Sequence, residues 1–122
     1  MHSEMNTTRS FSDNSILKIY ASTSDKIDGK LLYEHIVHKA KDEVVCGVTV
    51  YRGVMGFGKS SKISTSKFWE LTEKLPVVIE IIDTTEKLKV FYRMIEPDLQ
   101  QMAKGCLVTM SPIDVLLQQK GR

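Results

Sequence analysis

The segment Val77-Val-Ile-Glu-Ile-Ile82 constrains this chain more than any other feature. As a strand it puts Val77, Ile79 and Ile81 on one side and Val78, Glu80 and Ile82 on the other, so both sides are largely apolar. The run from Val44 to Tyr51 repeats the pattern, with Val44, Cys46, Val48 and Val50 set against Val45 and Tyr51. A sheet built from such strands needs cover on both faces. Two amphipathic segments are available to provide it. After Gly29, Leu32, Ile36, Val37 and Ala40 recur at helical spacing, with Glu34, His38, Lys39 and Lys41 on the other side. From Thr85, Leu88, Phe91, Ile95, Leu99 and Met102 step by three or four, with Asp83 or Thr84 placed to cap the first amides. Pro97 predicts a kink or restart in that second helix, which is expected to end at Gly105. Two helices on one face leave the other open, and the exposed apolar area predicts that another subunit covers it.

The remaining strands complete the order. Ile16 to Tyr20 is a β-prone run closed by the small polar stretch Ala21 to Asp25, and Val77 to Ile82 follows Pro76 and closes at Asp83-Thr84. Leu107 to Met110 and Ile113 to Leu117 supply the last strand or strands, interrupted by Ser111-Pro112. The sequence therefore reads as an α+β chain of the ferredoxin-like βαββαβ type, an antiparallel sheet with two helices on one face. Residues 1–14 read as a disordered extension, 15–118 as a single domain and 119–122 as a tail.

Composition narrows the function classes. At 122 residues and 42% hydrophobic content the chain suits one domain with a core, and no apolar run is long enough for membrane insertion. The net charge of +2 is spread along the sequence, so nucleic acid is not an expected partner. The first residues lack a secretory apolar run, and Cys46 and Cys106 sit in apolar surroundings without Cys-x-x-Cys spacing. Both are expected as reduced core thiols of a cytoplasmic protein.

Gly53-Val-Met-Gly-Phe-Gly-Lys-Ser60 matches the phosphate-loop pattern Gly-x-x-x-x-Gly-Lys-Ser and follows a strand, and Asp83 could serve as a magnesium ligand. This gives one alternative, a nucleotide hydrolase. The chemistry requires a helix that starts at the lysine, but Ser61-Lys-Ile-Ser-Thr-Ser66 is poor in helix formers, and the chain is too short for a parallel phosphate-binding sheet. What remains is local: Gly53, Gly56 and Gly58 free the backbone to present amides to an anion, and Arg52, Lys59 and Lys62 add positive charge. The plainer alternative is a solvated surface loop.

Several segments resemble the PII-like family catalogued as domain of unknown function one-ninety. They are Leu17-Lys-Ile-Tyr20, Ser24-Asp-Lys26, Gly29-Lys-Leu-Leu-Tyr33, Arg52-Gly53, Gly56-Phe-Gly58, Ser60-Ser61, Leu75-Pro-Val-Val-Ile-Glu-Ile-Ile-Asp83 and Leu107-Val-Thr109. The resemblance covers nearly everything after residue 15. It implies a homotrimer whose sheets pack on one another, binding a small effector such as an adenine nucleotide (AMP, ADP or ATP) in clefts between subunits. It also implies a loop after the second strand that signals to a transporter or enzyme, no required cofactor and no catalysis. The ligand-binding residues it implies are Arg52, Gly53, Gly56, Phe57, Gly58, Lys59, Ser60, Ser61 and Lys62, with Asp25, Lys26, Gly29 and Lys30 of the first loop in a second tier. Ser64 stands where relatives usually carry His, and Leu31 where they often carry Pro. A metal-responsive or purely structural trimer is the remaining alternative.

Other constellations carry less. His35 and His38 lie three apart on a helix, but two imidazoles without a third ligand are expected to be surface histidines, so no metal site is expected. Phe68 and Trp69 beside Lys67 could stack on a base, although core or interface packing is the commoner use. No Ser-His-Asp or Cys-His arrangement and no paired carboxylates are suggested.

Overall fold

A computed structural model describes residues 13–43, 46–56, 64–65, 75–102 and 105–119. Four long strands form one antiparallel sheet: β1 (Asn14–Ser22), β4 (Gly47–Arg52), β7 (Pro76–Thr84) and β8 (Leu107–Ile113), in the order β4-β7-β1-β8. Two short ladders accompany it, β2 (Lys26–Ile27) with β3 (Lys30–Leu31), and β5 (Met55–Gly56) with β6 (Ser64–Thr65). Helix α1 (Leu32–Asp42) connects β3 to β4, and α2 (Thr85–Gln100) connects β7 to β8. This is the ferredoxin-like βαββαβ arrangement, with β1 and β7 paired at the centre. No helix among the described residues is long and apolar enough to cross a membrane.

Strand alternation sorts the core. Leu17 pairs with Ile81 and Ile19 with Ile79, and all four side chains are buried beneath the helices. Leu32, Ile36 and Ala40 of α1 and Leu88, Phe91, Ile95 and Leu99 of α2 close over them at the spacing that brings one helix face inward. Val48 and Val50 of β4 pack at the margin of the same cluster.

Thr84 caps α2, its side chain accepting from the Lys87 amide at 3.2 Å. Asp83, the other residue placed for that task, instead accepts from Thr84 N–H at 2.6 Å and from Cys46 N–H at 2.8 Å. The Asp83 bond explains why the second major strand starts at Gly47, three residues later than its β-branched run predicts. The Cys46 amide is given to a carboxylate before the ladder begins, and Val44 and Val45 lie outside the described residues.

Three further boundaries depart from expectation. β1 is longer at both ends, because Asn14 pairs with Thr84 and Ser22 with Pro76. α2 contains Pro97 and runs without a restart, yet it ends at Gln100, well before Gly105. Pro97 cannot donate to the carbonyl of Arg93, and within a turn the chain tightens to i→i+3 bonds, Gln101 N–H to Asp98 O and Met102 N–H to Leu99 O. β8 continues through Ser111-Pro112, and residues 114–119 form no second strand. An edge strand with a partner on one side only tolerates a proline that lacks a donor.

The cysteines are also corrected. Neither lies in a strand: Cys46 is exposed and Cys106 is half-buried just ahead of β8, and both are free thiols.

Ile79 lies at the centre of the sheet and is fully buried. Ile79→Ala is expected to destabilise the fold by about 2–5 kcal/mol, read from the midpoint of urea unfolding.

Candidate functional site

At one end of the sheet β1 and β4 finish while β7 and β8 begin, and the described ones among the sequence-predicted site residues lie on segments that leave from this end. A backbone frame holds this pole together. Thr23 N–H donates to the Leu75 carbonyl at 2.8 Å, and Leu75 N–H donates to Thr23 Oγ1 at 3.0 Å. Gly53 N–H donates to the Pro76 carbonyl at 2.8 Å. A Cβ on Gly53 would fall 2.9 Å from Pro76 Cγ, closer than a rigid ring allows, so this position needs glycine for packing. The Arg52-Gly53 and Leu75-Pro76 segments singled out in the sequence are thus one contact, and Arg52 is exposed beside it.

Beyond Gly53, Gly56 pairs with Ser64 and Met55 with Thr65. The chain therefore leaves Gly53 through β5, and β6 runs antiparallel beside it, so the excursion is rooted at this pole. Phe57, Gly58, Lys59, Ser60, Ser61 and Lys62 lie outside the described residues, as do Lys67, Phe68 and Trp69. The ladder decides against phosphate-loop architecture. Ser64 and Thr65 are in a strand where that architecture needs helix, and the sheet is antiparallel throughout. Asp83 is buried, both its oxygens accept amides, and it lies seven residues along β7 from Pro76, about 23 Å from the root of the loop at 3.3 Å per residue.

The second-tier residues divide. Asp25 is buried and its carboxylate accepts from Ser22 N–H at 2.8 Å, while its carbonyl accepts from Leu32 N–H at the start of α1. Its side chain is occupied in forming the turn. Lys26, Gly29 and Lys30 belong to a two-residue hairpin, with Asp28 at φ 51° and Gly29 at φ 82° as the left-handed pair such a turn requires. Both lysines are exposed. The Asp28-Gly29 pair signals this hairpin, which reading these residues only as the first loop missed.

Around this frame, burial pushes the Cys106 thiol above its ordinary range, and the Asp25 carboxylate pushes it further in the same direction. His35 is half-buried and pairs through Nε2 with Asp98 Oδ2 at 2.9 Å, joining α1 to α2; it is a helix tie, while His38 is exposed. No group of three or more His, Cys, Asp or Glu among the described residues could hold a metal.

The helix-free face of the sheet borders the same pole. Its row Tyr51, Val78, Tyr20 and Leu107 crosses all four strands next to Arg52, with Tyr20 39%, Tyr51 49% and Leu107 60% exposed. A further row holds Ile82 and Ile16. The Tyr51 hydroxyl donates to Glu80 Oε1 at 3.0 Å, and that bond together with the carboxylate charge raises the phenol's pKa. Sequence alternation found this face, but the frame made by Thr23 and Leu75 was missed, since nothing local in either residue signals a partner so distant in the chain.

This sheet order with two helices on one face is that of the PII-like proteins. The fold recurs in CPII, a nitrogen regulatory PII-like protein from Thiomonas intermedia K12 bound to ADP, AMP and bicarbonate, with TM-score 0.55 and 12% identity over 82% of this chain and 93% of that one. It recurs in CPII bound to ADP and bicarbonate, with TM-score 0.51 and 12% identity over 83% and 90% of the two chains. Within that fold class the chain belongs to the DUF190 family, described as an uncharacterized ACR, whose family model matches residues 14–115. It is 34% identical over 101 residues to a UPF0166 protein of Aquifex aeolicus, covering 83% of this chain and 91% of that protein. It is 40% identical over 73 residues to a UPF0166 protein of Methanocaldococcus jannaschii, covering 60% and 67%.

Gly53→Ala is expected to cost about 1–3 kcal/mol by overpacking against Pro76, measured by urea unfolding. In a thiol-labelling time course followed by peptide mass spectrometry, Cys46 is expected to react first and Cys106 slowly, because Cys46 is exposed whereas the Cys106 thiol is part-buried with its ionisation suppressed.

Proposed function

We propose that this chain is a PII-like regulatory protein of the cytoplasm, assembled as a homotrimer, which binds an adenine nucleotide between subunits and reports it through the loop after β4. The observation that carries this reading is the meeting of two features at one pole: the helix-free apolar face ends where the glycine-rich excursion begins. Copies packed through that face would bring each loop root beside a neighbour and form a cleft there. Within the cleft, amides of Gly53, Gly56 and Gly58 and the side chains of Arg52, Lys59, Ser60, Ser61 and Lys62 would hold phosphates, with Phe57 beside the base. Lys26 and Lys30 are exposed on the neighbouring hairpin and add positive charge nearby.

CPII, which shares the fold, is bound to ADP, AMP and bicarbonate, and this makes those ligands the first to test. Ordering of the loop on binding would present a new surface to a transporter or enzyme. The chain acts by binding, and turnover has no support in the antiparallel root of the loop or in the occupied carboxylate of Asp83.

Isothermal calorimetry with ADP, AMP and ATP is expected to show saturable binding, and Lys59→Ala is expected to weaken it by about 1–3 kcal/mol without changing the oligomeric state. Unchanged affinity in both Lys59→Ala and Arg52→Ala would remove the loop from the site. Unchanged melting temperature with every nucleotide would favour a structural trimer instead.

A further inference from the structure

The open face of the sheet is not uniformly apolar. Between the row of Tyr51, Val78, Tyr20 and Leu107 and the row of Ile82 and Ile16 runs a polar row, in register across the strands: Thr49, Glu80, Lys18 and Thr109. Among the described residues, Lys18 and Glu80 are the only charged side chains that the four strands place on this face. Both are half-buried by their neighbours. Glu80 Oε1 accepts from Tyr51, while the Lys18 ammonium makes no hydrogen bond or ion pair with any of the described residues.

Lys18 and Glu80 stand opposite each other in the β1–β7 ladder but form no ion pair, so covering this face with a plain apolar surface would take an ammonium and a carboxylate away from water unmatched, and the loss would offset the gain from the apolar rows. A partner that supplies an acid opposite Lys18 and a base opposite Glu80 removes that cost. A second copy of this chain carries both. In a closed ring each copy gives its Lys18 to one neighbour and its Glu80 to the other, so every charge is matched.

We infer that Lys18 and Glu80 fix the register and partner choice of self-assembly, with Lys18 of one copy meeting Glu80 of the next. The inference rests on the reading that sister copies cover this face. The charges act as a selectivity device: they admit a copy in one alignment and reject slipped alignments and other apolar surfaces.

The test uses the full chain with its two charges exchanged, Lys18→Glu with Glu80→Lys, co-expressed with a mass-tagged wild type and analysed by native mass spectrometry. Each form is expected to assemble with itself, and mixed assemblies are expected to fall at least about tenfold below the statistical proportion, because like charges would meet across every mixed contact. Free mixing of assembled forms would overturn the inference, since the pair would then act within one chain, and would leave the assembly reading intact. A monomeric wild type would overturn the assembly reading itself. The single variant Lys18→Glu provides a second reading: it is expected to dissociate at concentrations where the wild type is assembled, with an unchanged far-ultraviolet circular dichroism spectrum. Assembly of that variant equal to wild type would also overturn the inference.

Discussion

A four-stranded sheet has two faces, and two helices joined to it by short connections can cover only one. In this chain the covered face is a continuous cluster built on Leu17, Ile19, Ile79 and Ile81, and it supplies the burial that drives folding. The other face carries Ile16, Tyr20, Tyr51, Val78, Ile82 and Leu107, with no helix over it among the described residues. Fold and proposed function both depend on that asymmetry. The covered face makes a domain, and the proposal that the chain assembles with its copies rests on the open one.

The same sheet decides where a site can form. β1 and β4 run toward one pole and β7 leaves from it, so Thr23, Gly53 and the Leu75-Pro76 pair converge there although they are distant in sequence. Their bonds are backbone bonds or involve one hydroxyl, which makes the frame largely indifferent to pH and rigid at the root of the loop. At the opposite pole, Asp83 binds the amides of Thr84 and Cys46, which ties the start of α2 to the approach to β4. The root of the excursion is thus fixed at one end of the sheet, and the entry to α2 is fastened at the other.

Much of the fold was legible because strands and helices announce themselves by period. Val77 to Ile82 alternates as its neighbours require, and Leu88, Phe91, Ile95 and Leu99 repeat at the helical step. Boundaries were harder wherever a distant partner set them. The start of β4 depends on Asp83 claiming the Cys46 amide, and the single strand through Pro112 depends on that strand lying at the edge. The glycine-rich motif was half legible. Its composition suggested an anion site, and the helix formers missing after Lys59 argued against a phosphate-loop enzyme, as the pairing of Gly56 with Ser64 bears out. The necessity for Gly53 was invisible, because it comes from the ring of Pro76. The His35–Asp98 tie was equally hidden, since the helices bring those residues together only after folding.

Sedimentation equilibrium of the wild-type chain at low micromolar concentration tests most directly whether the second face of the sheet is closed by sister copies. The account predicts a single species of three chain masses with no detectable free subunit. A stable species of one chain mass, with the rows around Tyr20 and Val78 open to water, would contradict it.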